Sequence, residues 1–154
     1  MRTAYKVLAY LVAIEVAVQA AAMVFAVFGL GTWISEGGVL DQAAFESGES
    51  LFPEMVGFMV HGMNGMMVIP AIALILFVVS FFAKVPRGVA WAGAVLGLVV
   101  LQVALGIFGH SLPSLGLLHG INALALFSTA LLAGRRVGAA RVETASRAPA
   151  QAVS

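Results

Sequence analysis

The sequence predicts an all-α protein, a bundle of four transmembrane helices with both termini on the cytoplasmic side. Three observations carry this reading. The 154 residues are 62% hydrophobic and only 10% charged, with a mean hydropathy of +1.06, which leaves too little polar surface to wrap a soluble domain. Four stretches, 7–33, 55–83, 88–109 and 112–134, each reach the roughly 20 apolar residues that a helix needs to cross a bilayer. The charges, finally, are segregated. Arg2 and Lys6 precede the first span, Lys84 and Arg87 separate the second from the third, and Arg135, Arg136, Arg141 and Arg147 follow the fourth. Loop 34–54 holds no Lys or Arg but carries Glu36, Asp41, Glu46, Glu49 and Glu54. By the positive-inside rule the acidic loop lies outside and the termini inside, which predicts a multi-pass protein of the cell inner (plasma) membrane.

Span one continues to Trp33 and is interrupted by Glu15, an anatomy that argues against a cleaved signal peptide despite Ala20-Ala21-Ala22. Glu15, with Gln19 one turn on, reads either as a proton-handling or quinone-contacting carboxyl or as a protonated side chain bonded to Gln19 or a facing helix. Span two ends at Lys84-Val85-Pro86-Arg87, and Pro70 is expected to kink it. Span three contains Gly93-x-x-x-Gly97, a small-residue helix contact, and stops at Ser111, Pro113 and Ser114. Trp33 and Trp91 fall near opposite interfaces, as aromatic anchors do. The four spans form one membrane domain over 1–134. Residues 135–154, rich in Ala, Ser and Arg, are expected to form a disordered tail. The absence of cysteine excludes disulfides, thiolate metal sites and Cys nucleophiles. Nothing in the charge pattern resembles a nucleic-acid surface.

Within this apolar chain, HGMNG (61–65) opens span two and HGINA (119–123) opens span four. Both spans run from outside to inside, so His61 and His119 fall at matched depth, on the order of 10 Å below the outer surface at about 1.5 Å per residue. Gln19 and Gln102 form a weaker echo between spans one and three. The pattern suggests two related helical hairpins. Ionisable residues inside spans usually face the bundle interior and serve a function. Two imidazoles at one level, on equivalent helices, have the geometry to ligate a haem iron from both faces. Gly62 and Gly120, with Gly65 and Ala123 one turn on, would let a flat macrocycle approach. Asn64 and Asn122, three residues after each His, share its face and could bond to the imidazole, to a neighbouring helix or to a bound molecule. The bland alternative is interhelical hydrogen bonding alone. His110, at the end of span three, is expected to meet water rather than iron. Met55, Met59, Met63, Met66 and Met67 crowd span two; such sulfur could hold Cu(I), though methionine stripes are more often adaptable packing.

Gln102-x-x-Leu105-Gly106-Ile107, followed by Pro113 and then Leu118-His119-x-x-x-Ala123, resembles the second hairpin of one half of haem A synthase. The resemblance covers about residues 50–134. It implies a four-helix half that holds a haem-type group through histidines on its second and fourth helices, with His61 and His119 as the axial pair. The catalytic half of that family has a Glu three residues before its first His and an Arg just after. Here those positions are Phe58 and Gly62, and Glu54 lies two turns from His61. The resemblance therefore implies the cofactor-holding scaffold and not oxidation of a haem methyl group.

The expectation is a membrane protein that binds haem b between His61 and His119, with Gly62, Gly120, Asn64, Asn122 and Gln102 lining the site. Its role would be electron transfer, or accessory service to a respiratory or haem-maturation complex, with no catalytic residue assigned. A homodimer, a larger respiratory complex and a quinone are candidate partners beside membrane lipid. The alternatives are a copper or small-molecule transporter and a cofactor-free accessory subunit.

Overall fold

A computed structural model describes residues 1–146. The described residues form helices and no strands. Helix α1 spans Arg2–Ser35 and α2 is a short surface helix, Gln42–Glu46. Span two is built of four pieces: a 3-10 turn at Pro53–Met55, α3 at Val56–Met63, a π-helical turn at Asn64–Val68, and α4 at Ile69–Ser80. Helices α5, Gly88–Gly109, and α6, Ser114–Ser146, complete the chain. Four segments are long and apolar enough to cross a membrane: Arg2–Ser35, Pro53–Ser80, Gly88–Gly109 and Ser114–Val137.

The breaks between helices follow from local chemistry. After α1 the chain turns through Gly37 at φ +100°, a backbone that side-chain-bearing residues rarely adopt. Gly38 lies against the Trp33 ring, where a Cβ would collide. Asp41 caps α2, its carboxylate accepting from the Ala44 amide at 2.8 Å. The tight α4–α5 connection holds two non-glycine residues, Lys84 and Arg87, at φ 51° and 55°. It is pinned by Arg2, which donates to the Lys84 carbonyl, and by the buried Tyr5 hydroxyl, which donates to the Gly88 carbonyl, both at 3.1 Å. The expected disordered tail at 135–154 departs from this picture in its first part. Residues 135–146 continue α6, because Arg, Val, Ala and Glu sustain a helix and no proline intervenes before Pro149. Residues 147–154 lie outside the described residues.

Helix α1 packs against span two and α6, and α5 packs against α4 and α6. The four spans thus stand at the corners of a square, with span two diagonally opposite α6. The apolar core fills the half of the bundle that contains the start of α1 and the α4–α5 turn. Tyr5, Val12, Leu76, Val95, Val99 and Leu126 are fully buried there, with Ala9, Ala73, Ala92, Ala130 and Ala133 between them. In a bilayer, where lipid is as apolar as leucine, close packing rather than water exclusion drives helix association, and small residues at the crossings permit it. Gly93 fits this role, since an added Cβ would sit 3.5 Å from the Phe77 ring. Gly97, its expected partner, faces open space.

The half nearer the 34–54 loop is organised differently. Its closest backbone approach is α1 to α3, where a Cβ on Gly57 would come within 2.3 Å of the Ala22 carbonyl. Ala26 and Phe52 are buried there, outside the main apolar cluster, and the Phe52 ring meets Trp33 and Phe58. Gln19, His61, Asn64, Gln102, His119 and Asn122 form their interhelical hydrogen bonds toward that half.

Candidate functional site

His61, on α3, and His119, on α6, meet across the diagonal of the square. Their ring centroids are 6.1 Å apart and their planes are inclined by 57°. The matched depth expected from the two motifs is therefore realised. Each ring is held in the same way. His61 Nδ1 donates to the Gln19 backbone carbonyl at 3.3 Å, and His119 Nδ1 donates to the Gln102 backbone carbonyl at 3.1 Å. A carbonyl oxygen can only accept, so in the neutral ring the proton sits on Nδ1 and the Nε2 lone pair is free. This is the arrangement that orients a histidine for metal ligation, with the second nitrogen anchored and the first available.

The second hairpin closes its polar groups completely. Asn122, only 7% exposed, donates to the Leu98 carbonyl at 3.0 Å and to Gln102 Oε1 at 2.6 Å. Gln102 Nε2 in turn donates to the His119 carbonyl at 3.1 Å. Gly106 lies one turn beyond Gln102, and a Cβ there would sit 3.3 Å from His119 Cε1. Gly106 thus gives the imidazole its seat against α5.

The first hairpin differs. Asn64 Nδ2 donates to Glu15 Oε2 at 2.6 Å instead of to Gln19. Gln19 Nε2 is buried without a partner. Of the two partners expected for a bonded Glu15, the structure shows the facing helix and not Gln19.

The remaining residues singled out in the sequence are placed as follows. Asn64 and Asn122 bond to neighbouring helices and not to the imidazoles. Gly62 and Gly120 are exposed, and Cβ atoms added to them would meet nothing within 4 Å, so they do not bring helices together. His110 is exposed and bonds to the Gly106 carbonyl of its own helix at 3.0 Å. Met59 and Met63 are 56% and 60% exposed, and Met66 and Met67 are exposed as well. Among the described residues no three His, Cys, Asp or Glu side chains gather into a cluster that could hold a metal ion. The His pair supplies two nitrogens and no third protein ligand.

The π turn follows directly on α3. Pro70 has no N–H to give to the Met66 carbonyl, and its ring crowds that position. Widening the preceding turn relieves the conflict, and such bulges recur at functional sites. The sequence signal was Pro70, which predicted a kink but not its form. The anchoring groups, the backbone carbonyls of Gln19 and Gln102, had a signal only in the glutamine echo.

Residues 44–109 match a family described as "Family of unknown function (DUF6220)". The match takes in His61 and Gln102 and stops before His119. No curated protein and no solved structure matches the chain.

Proposed function

We propose that the chain is a multi-pass protein of the cell inner (plasma) membrane that holds a b-type haem between His61 and His119. The observation that carries this reading is the pair of opposed imidazoles, each anchored through Nδ1 to a glutamine carbonyl. Two metal–nitrogen bonds of about 2 Å each, with half a ring at either end, call for a centroid separation of roughly 6 Å, and the rings stand 6.1 Å apart. The two-ligand set also suits haem, which brings four nitrogens of its own, better than a bare ion that needs four protein donors.

The fit extends beyond the iron ligands. The apolar core ends before the level of the histidines. Gln102 and Asn122 hold the α6 backbone around His119. The resemblance of residues 102–123 to the cofactor-holding half of haem A synthase supports the same ligand pair. Bound haem supplies a one-electron couple. The chain's part is to fix both imidazole rings, keep Nε2 unprotonated and shield the site within the bundle. The role that follows is electron transfer, or a haem-related accessory function beside a respiratory or haem-maturation complex.

The segregated charges support an orientation with both termini cytoplasmic and the histidines nearer the outer face. The exposed thioethers of Met59 and Met63 argue against a Cu(I) site shared with His61. The cofactor-free reading draws on the same Nδ1 bonds, which also tie helices together. Purification from haem-replete cells separates the two readings. The haem reading expects a Soret band with split visible bands on reduction, and both are lost in His61→Ala and in His119→Ala. A colourless wild-type protein would leave only the packing role.

A further inference from the structure

The two hairpins share one polar design, and it is complete in one and broken in the other. In the second, the Asn122 amide bridges the Leu98 carbonyl and the Gln102 side chain, and Gln102 spends its own N–H on the His119 carbonyl. In the first, Glu15 stands where span three has Leu98. Its carboxylate draws the Asn64 amide to itself, and Gln19 is left with a buried Nε2 that nothing accepts. Gln19 is 8% exposed. A free amide at that depth is costly unless something completes it. Gly65, in the π turn, packs close to Gln19, since a Cβ there would lie 3.2 Å from Oε1. Glu15, one turn before Gln19 on α1, is half-buried.

We propose that Gln19 and Glu15 form a binding site for the headgroup of a lipid-soluble quinone. The two side chains present one unused N–H donor and one carboxyl acceptor within a single helical turn of α1. A quinone carbonyl takes the Gln19 N–H, and the hydroxyl of the reduced form donates to Glu15. A water molecule could satisfy the amide but would not bring the apolar ring and tail that suit access from the bilayer. Gln19 also offers its backbone carbonyl to His61, so the bound headgroup adjoins the histidine pair. The site itself requires no haem, so quinone binding and haem content can fail separately.

The test is saturable binding of a decyl-tailed benzoquinone, and of its naphthoquinone counterpart, to the full-length protein in detergent after endogenous quinone is removed. The wild type is expected to bind one equivalent of at least one probe, with a higher melting temperature in its presence. Gln19→Leu and Glu15→Gln each weaken binding at least tenfold and abolish the thermal shift. Haem content and helicity, read in the same samples, show that the fold is kept. The backbone carbonyl that holds His61 survives both substitutions. Absence of saturable binding of either probe to the wild type overturns the proposal. So does equal binding by wild type and both variants, or a Gln19→Leu protein that simply melts higher with no effect of quinone on the wild type.

Discussion

Each histidine has its acceptor on a backbone, and His119 has its seat on Gly106, so side-chain substitutions around it separate position from identity. Gly106→Val puts a branched side chain where a Cβ alone would be 3.3 Å from His119 Cε1. It is expected to displace the imidazole and to lower haem content at least tenfold, read from the Soret band per mole of protein. Asn122→Ala removes two donors at once and leaves Gln102 Oε1 and the Leu98 carbonyl without them. Interhelical hydrogen bonds of this kind contribute about 0.6–1.7 kcal/mol, and a loss of that size should appear in detergent-denaturation midpoints. At this scale the sequence was partly legible. The repeated His-Gly-x-Asn pattern announced the pair because its residue types are rare in an apolar helix. The anchoring carbonyls were not legible, since a backbone group has no residue type to read. Nor was the diversion of Asn64 to Glu15, which depends on how two helices turn toward each other.

The elements show how span two was made to present His61. Pro70 alone predicts a kink, whereas the structure resolves the conflict as a π turn over Asn64–Val68. That turn adds a residue to the helical repeat and sets the rotation of α3 relative to α4. Pro70→Ala restores the missing donor, so the turn should revert to regular α-helix and rotate His61 away from His119. The expected outcome is unchanged or higher thermal stability together with reduced haem content, a combination that a purely structural proline would not give. At the other end of the bundle, the Tyr5 hydroxyl locks α1 to the start of α5. Tyr5→Phe should cost about 0.5–1.5 kcal/mol in unfolding free energy, the usual net worth of one hydrogen bond, with haem content unaffected. The spans themselves were legible to within a few residues because membrane thickness imposes their length. Residues 135–146 were misread because small and basic residues suit a disordered tail and a helix equally well.

The described residues divide into a half that holds the apolar core and a half beneath the acidic loop where the histidines are anchored. The orientation of the molecule rests on charge alone, and the absence of cysteine from the sequence makes it simple to check. Single cysteines replacing Thr3 and Ser47 should react with a membrane-impermeant maleimide in opposite ways on intact cells. Ser47→Cys is expected to label without permeabilisation and Thr3→Cys only after it; the reverse pattern would invert the topology.

The pairing of His61 with His119 through one iron is tested most directly by electron paramagnetic resonance of the purified ferric protein. The account predicts a low-spin, six-coordinate signal from two imidazole ligands. His61→Ala and His119→Ala should each convert it to a high-spin signal or remove it with the haem. A wild type without bound iron, or a low-spin signal that survives both substitutions, would contradict the account.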